Sequence, residues 1–344
     1  MAQSVIRNVV ARYKTIKTQL KQTPFRYNTG EKDAQGHAIW SQIPRDLTWL
    51  WRPVKFKRLQ LDLQRNRDWS YLNTSSQLSL NTLMGRKKVD FVCKNFDQYL
   101  DASRWKFGSI KLLQFKNNWY VHLSATTSLS EYELKQTQHI VGIDRGLRFL
   151  AACYDEQGQT LLCSGQKVLR TRRKYKKLRA QLQAKGTKSA KRRLKKIGQR
   201  ENRFISDVNH RLTKTLVDHY GPNTIFALED LTNVRFATEK AAKKRRYEMV
   251  SWTFYQFEQF LAYKANLNSS TVVKVSPRFT SQRCPKCGRI RKENRNHELH
   301  LYICDECGYK SNDDRLAAMN IQFLGDQYYQ GVKRPKFTKL RSAE

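Results

Sequence analysis

Two Cys-x-x-Cys-Gly repeats near the carboxyl end constrain this chain more than any other feature. They lie in TSQRCPKCGRIRKENRNHELHLYICDECGYKSNDDRLAAMNI (Thr280–Ile321). Cys284 and Cys287 precede Gly288, Cys304 and Cys307 precede Gly308, and sixteen residues separate the pairs. Four thiolates from two tight turns are the donor set of a closed, tetrahedral zinc site, and glycine after the second cysteine lets the turn take a positive φ. Four unrelated cysteines are the alternative, and this spacing argues against it. Asp313 and Asp314 follow at once, opening the apolar, helix-like run LAAMNI. A metal-pinned loop thus delivers a carboxylate to a helix start.

Two further acids interrupt apolar runs. HIVGIDRGLRFLAACYD (His139–Asp155) reads as a strand, a Gly-bounded turn and a second strand, and Asp144 ends the first. TIFALEDLTNV (Thr224–Val234) repeats the pattern, with Glu229 closing Ile225 to Leu228. An acid at the end of a buried strand costs free energy unless it is paired or binds a cation. Asp144, Glu229 and Asp314 each have a bland alternative as a helix cap or a solvated loop charge. The three contexts together favour a metal site.

GIDRG, ALEDL and SNDDRLAAMNI, with CPKCG and CDECG ahead of the last, resemble the TnpB family of transposon-encoded OrfB proteins. The resemblance runs from about residue 47 to 321 and extends to the compact type V CRISPR effectors. It implies an RNA-guided DNA endonuclease with an RNase H-like (RuvC) domain, and it sets Asp144, Glu229 and Asp314 at the catalytic positions. Asp230 and Asp313 are their neighbours and second choices. Leu316 stands where the family usually has Asn, Arg145 replaces a more usual apolar residue, and the amino end reads as short of the family's opening strand.

The chain has 344 residues, enough for roughly two or three domains. Its 66 Lys and Arg against 29 Asp and Glu leave a net charge of +37, a single-sign field that calls for a polyanionic partner. No apolar run reaches the ~20 residues needed to span a bilayer, and no signal peptide precedes the first charged helix, so no membrane partner is expected. The remaining Cys93, Cys153 and Cys163 read as free core thiols in a reducing compartment, which the resemblance makes a bacterial or archaeal cytoplasm.

The expected fold class is α/β plus β: the RuvC-like nuclease domain with an inserted four-cysteine zinc ribbon, preceded by a β-barrel wedge domain and a short helical recognition segment. The boundaries are a helical segment over 1–53, a wedge over 54–130, nuclease over 139–275, ribbon over 276–311, the last nuclease element over 312–325, and a basic, loosely packed tail over 326–344. In the first segment, Trp40, Trp49 and Trp51 beside Arg45 and Arg52 suit either base stacking or core packing. VKFKRLQLDL, WSYLN, LSLNTL, VDFVC, GSIKLLQF and NWYVHLSA carry the alternation of an antiparallel barrel or sandwich, with Lys55, Lys57 and Arg58 on one face. The resemblance assigns this domain to holding guide RNA and reading a short motif beside the target.

Residues 167–220 read as a basic helical hairpin turning at Lys185-Gly186. Lys167, Arg170, Arg172, Arg173, Lys174, Lys176 and Lys177 on the first helix, with Arg192, Arg193, Lys195 and Lys196 on the second, are the expected nucleic-acid contacts. A charge run is usually a solvated face, but here it is nearly all of one sign. His210 on the second helix reads as a structural histidine rather than a group at the scissile strand. FATEKAAKKRRYEMVSW reads as a loop that could gate the site.

Phosphodiester hydrolysis needs an activated water, charge relief at phosphorus and a stabilised leaving oxygen, which two Mg²⁺ ions about 4 Å apart can supply. Asp144 is the natural bridging ligand, with Glu229 and Asp314 each completing one ion. By the resemblance, the products carry 5′-phosphate and 3′-hydroxyl ends. The partners expected are a guide RNA from the transposon end and double-stranded target DNA, bound by a monomer. The alternatives are a guided repressor that does not cut, a transposase acting without RNA, and a plain zinc-ribbon nucleic-acid-binding protein.

Overall fold

A computed structural model describes residues 2–21, 25–36, 38–43, 52–53, 59–115, 117–128, 134–231 and 254–338. Arg45, Trp49, Trp51, Lys55, Lys57, Arg58 and the 236–252 loop lie outside the described residues. The chain divides into two units, Met1–Ser128 and Leu129–Glu344.

The first unit opens with α1 (Ala2–Lys21), then an antiparallel ribbon of β1 (Phe25–Lys32) and β2 (Ala38–Ile43). The amino-terminal segment is therefore helix plus ribbon, not helix alone. Next come β3 (Gln60–Leu63), β4 (Trp69–Leu72), β5 (Gln77–Thr82), β6 (Gly85–Val89), β7 (Trp105–Phe115) and β8 (Asn118–Thr127). They form two three-stranded antiparallel sheets, β3-β7-β8 and β4-β5-β6. One core serves both, with Leu63 and Ile110 from the first and Trp69, Leu78 and Leu80 from the second. Fully buried Trp69 donates its indole N–H to the Gly108 carbonyl at 3.1 Å, so the ring costs no unpaired donor. The VDFVC segment, expected as a strand, leaves the ladder after Val89, and only Phe91 turns back onto the core.

The second unit is built on a mixed sheet. β9 (His139–Asp144), β10 (Phe149–Tyr154) and β11 (Thr160–Ser164) are antiparallel neighbours. The helical hairpin follows, as α2 (Gln166–Lys185) and α3 (Lys188–Tyr220). Gly186, with φ +63°, makes its turn, and the Thr187 hydroxyl caps α3 by accepting from the Ala190 N–H. β12 (Thr224–Glu229), α4 (Phe254–Leu267) and β13 (Thr271–Val275) complete the order β11-β10-β9-β12-β13, with β9, β12 and β13 parallel. A small three-stranded sheet of β14 (Arg295–Asn296), β15 (Leu301–Ile303) and β16 (Lys310–Asn312) leads into α5 (Asp313–Tyr329).

Alternation along the strands decides what covers each face. Val141, Ile143, Phe226 and Leu228 pack with Leu216, Val217, Phe257 and Leu261 of α3 and α4. Ile140, Ile225, Ala227, Val273 and Val275 pack with Ile321 and Leu324 of α5. Burying each of those two α5 side chains contributes about 1.5–3 kcal/mol. Phe337 joins this second core and stacks on Phe323 at 5.9 Å. The tail expected to be loose therefore continues α5 to Tyr329 and packs back through Phe337, because that ring has an apolar slot to fill.

α5 crosses β9 at Gly142 with backbone against backbone. A Cβ at Gly142 would stand 2.2 Å from both the Ala318 carbonyl and the Gln322 nitrogen. Gly142→Ala is thus expected to lift α5 and lower stability by about 1–3 kcal/mol, the usual cost of overpacking. Urea unfolding followed by circular dichroism measures it.

Candidate active site

Strand parity places two of the acids. Asp144 has the parity of Ile140 and Gly142, and Glu229 that of Ile225 and Ala227, so both belong to the face that α5 covers. β9 and β12 are adjacent and parallel, with Ile143 opposite Leu228, so the acids end neighbouring strands at the same level. The carboxyl ends of parallel strands are where open α/β sheets place ligands. α5 brings Asp314 in its first turn, where Asn312 caps the helix by accepting from the N–H groups of Asp314 and Arg315, each at 3.1 Å.

Asp144 lies where the charges of both Glu229 and Asp314 act on it, while the acid-containing group whose ligand atoms meet within 4.8 Å among the described residues is His300, Asp313 and Asp314. Burial, then the charge of Glu229, then that of Asp314, push the Asp144 carboxyl well above the ordinary carboxylate range, against the pull of Arg295 and Arg145. Burial also raises Glu229 and Asp314, and Asp313 adds to the rise at Asp314. Oδ2 of Asp314 is buried without a hydrogen-bond partner. A cluster of desolvated carboxylates with an orphaned oxygen lacks positive charge, and oxygen donors of this kind fit hard divalent cations.

Neighbouring groups fix the acids in place. Thr280 donates its hydroxyl to Glu229 Oε1 at 2.5 Å. Arg145 is buried and donates Nη2–H to the Glu229 carbonyl at 2.6 Å and Nη1–H to the Phe254 carbonyl at 3.3 Å. Its guanidinium also lies 3.5 Å from Glu258. Arg145 thus puts a cation behind the acids, tied to the end of β12 and the start of α4.

The adjacent Asp313 and Asp314 take different work. Asp313 is 1% exposed and receives Nε and Nη2 of Arg295 at 3.0 and 2.9 Å. This ion pair joins β14 to the head of α5 and holds the guanidinium where its charge opposes the rise at all three acids. No sequence signal singles out Arg295. One arginine in so basic a chain carries no mark, and only its partner Asp313 distinguishes it. Asp230 lies past the end of β12, with its N–H on the Val275 carbonyl at 2.9 Å.

The four thiols converge as well. Cys284 Sγ lies 3.6 Å from Cys307 Sγ, and Cys287 Sγ 3.5 Å from Cys304 Sγ. All four fall within 4.8 Å of one another. Four sulfurs about 2.3 Å from one zinc would sit about 3.8 Å apart, so the donor set and its spacing fit that ion. The two turns repeat one design. Gly288 and Gly308 have φ of +79° and +67°, and each donates its N–H to the carbonyl of the first cysteine at 3.0 Å. Leu316, fully buried, packs against Cys284, Tyr302 and Cys304, an apolar bolt between α5 and the thiols. Asn320 adds a polar one. It donates to the carbonyls of Thr280 and Arg283 at 2.8 Å, linking α5 to the residue that holds Glu229.

On the helical hairpin, Lys167, Arg170, Arg173, Lys174, Lys176, Lys177, Arg192, Arg193, Lys195 and Lys196 are exposed. Arg172 is not. It is 1% exposed and lies with Arg179 around the buried carboxylate of Glu201. Arg172 is therefore corrected from a surface contact to an internal ion pair between α2 and α3, since helical periodicity turns it inward from its basic neighbours. His210 stacks on Phe260 with centroids 3.7 Å apart.

Because folding raises the Asp144 pKa, its neutral form is the one folding favours. In buffer without divalent cations, stability should fall as pH rises from the ordinary carboxylate range through the raised value. Asp144→Asn should raise the Tm near neutral pH and flatten that dependence, with each kcal/mol shifting Tm by about 2–4 °C. Scanning calorimetry across pH checks it.

Residues 124–234 match the family model OrfB_IS605, described as "Probable transposase", and residues 254–321 match the Cas12f1-like TNB domain. The CRISPR-associated endodeoxyribonuclease Cas12f1 of Sulfoacidibacillus thermotolerans is 29% identical over 221 residues, covering 60% of this chain and 50% of that protein. A TnpB-like protein of Methanocaldococcus jannaschii is 27% identical over 217 residues, covering 61% and 77%. A solved Cas12f1–sgRNA–target DNA complex is similar with a TM-score of 0.45 and 15% identity, over 78% of this chain and 68% of that one. The chain thus spans half the length of the first relative and about three quarters of the second. The two matched regions hold all three acids and all four thiols, and over them this chain is similar to the TnpB-like proteins and the Cas12f1 endodeoxyribonucleases.

Proposed function

We propose that this chain is a transposon-encoded, RNA-guided DNA endonuclease whose second unit is an RNase H-like nuclease of the RuvC type. The observation that supports this reading is that Asp144 and Glu229 end adjacent parallel strands on the face α5 covers, where the charge of Asp314 acts on Asp144 and the Asp314 Oδ2 is buried and unpartnered. Asp144, Glu229 and Asp314 would hold two Mg²⁺ ions, which when bound supply charge relief at phosphorus and an activated water. Thr280 and Arg145 keep Glu229 in place, so its carboxylate needs no reorganisation when substrate arrives. Arg295, locked on Asp313, offers a fixed guanidinium to a non-bridging phosphate oxygen. Cys284, Cys287, Cys304 and Cys307 would hold one closed, structural zinc, which secures the loop that feeds Asn312 and the head of α5.

The net charge of +37 suits a chain that holds guide RNA and double-stranded target DNA together, with base pairing selecting the sequence. The expected division assigns the 54–130 wedge to guide RNA and target-adjacent duplex, and the hairpin of α2 and α3 to the paired strands. Among the described residues no helix is long and apolar enough to cross a membrane. A cytoplasmic monomer carrying its RNA is the state proposed.

Protein purified with co-expressed transposon-end RNA should cleave a matching duplex in Mg²⁺. Asp144→Ala should lower that rate by about 10²–10³-fold or more, the scale on which one charge-handling group in a preorganised site is felt. RNA-dependent binding without cleavage would favour a repressor, and cleavage without RNA a transposase. Neutralising Arg192, Arg193, Lys195 and Lys196 should weaken binding across sequences and reduce the slope of log K against log salt by about 0.9 for each phosphate no longer neutralised. Filter binding over a salt series reads that slope.

A further inference from the structure

The turn between β5 and β6 exposes two large apolar side chains, Leu83 at 93% and Met84 at 86%. Neither has a structural reason to be apolar. The turn needs glycine at 85, where φ is +85°, and it is closed by the Thr82 hydroxyl, which donates to the Gly85 carbonyl at 2.7 Å and accepts from the Met84 N–H at 3.2 Å. Turn positions of this kind are ordinarily polar. Two adjacent apolar side chains held in water on a rigid support mark a surface built for a partner.

The support is rigid because β5 is anchored beneath it. Leu78 and Leu80 lie in the core, and the ladder runs without a break from Leu78–Val89 to Thr82–Gly85. Arg86 ties the stem down by donating to Ser79 Oγ at 3.3 Å and to the Arg67 carbonyl at 2.9 Å. The outer strand is GRKKV, fully exposed and without an acid. An apolar tip beside the cationic edge strand of the β4-β5-β6 sheet has the chemistry of a nucleic-acid wedge: Lys87 and Lys88 meet phosphates while Leu83 and Met84 meet the faces of bases. Duplex DNA is the occupant this pairing of apolar tip and cationic strand favours. Apolar side chains such as Leu and Met part base steps of B-form duplexes when they are inserted from the minor groove, with cations on the flanking phosphates.

The geometry points to the β5–β6 turn as a wedge that inserts Leu83 and Met84 into duplex DNA and unstacks a base step. This rests on the reading of the chain as a DNA-acting protein, but on no part of the acid site. Pyrimidine–purine steps, the easiest to unstack, are where it should act.

The test uses the full chain with duplexes carrying 2-aminopurine beside a TA step, at low salt. Binding by the unaltered protein should raise the fluorescence several-fold. Leu83→Ser with Met84→Ser should abolish the rise while the fold, Tm and salt slope of binding stay unchanged, since no core group or charge is removed. Leu83→Phe with Met84→Phe should restore it. Binding without a rise, or a rise that survives the serine pair, overturns the wedge. So does a concentration-dependent dimer of the unaltered protein that the serine pair dissolves, which would make the turn a contact between copies. Binding and unstacking without Mg²⁺-dependent cleavage would sink the nuclease reading and leave the wedge standing, whereas cleavage without unstacking would do the reverse.

Discussion

The second unit depends on the contact of α5 with the sheet at Gly142. Only a residue without a side chain lets a helix backbone lie directly on a strand, and the Ala318 carbonyl and Gln322 nitrogen occupy the space a Cβ would need. That closeness sets the height of the helix over β9 and β12. It follows that Asp314, in the first turn of the helix, reaches down to the level where Asp144 and Glu229 leave their strands. A larger residue would lift the third acid away from the other two.

Height alone does not fix the helix along its axis or about it. The ribbon does that, through an apolar contact, an ion pair and a set of hydrogen bonds. Leu316 packs on the thiol cluster, Asp313 grips Arg295, and Asn320 binds the carbonyls of Thr280 and Arg283. Thr280 in turn donates to Glu229. The cysteine turns are thus coupled to two of the three acids through few intermediaries. A metal that organises the ribbon would reach the proposed hydrolytic site by positioning side chains.

The charge distribution follows a division of labour. Arg145, Arg172 and Arg295 are spent inside the protein, on Glu258 and the Glu229 carbonyl, on Glu201 and on Asp313. The exposed cations of α2 and α3 and of the edge strand β6 face outward, where a polyanion can meet them. Buried arginines are held because leaving a buried carboxylate uncompensated costs more than ordering a guanidinium. Net charge therefore indicates the class of partner, but not which arginines meet it.

Much of this was legible in the residues. Thiol spacing announced the ribbon, apolar runs located β9, β10 and β12, and an acid at the end of each of two parallel strands stood out because burying a carboxylate is costly. That Asp144 and Glu229 share a face, and that a helix lies directly on Gly142, emerged only with the strands in register and α5 in place. What only the tertiary structure decided concerns partners far apart in sequence: that Asp313 faces Arg295 while Asp314 faces the sheet, that Thr280 holds Glu229, that Arg172 turns inward to Glu201, and that Phe337 returns to the core. The reason is physical. Local pattern fixes which way a side chain leaves its own strand or helix, whereas its partner depends on how distant elements pack, and that packing is a property of the whole fold.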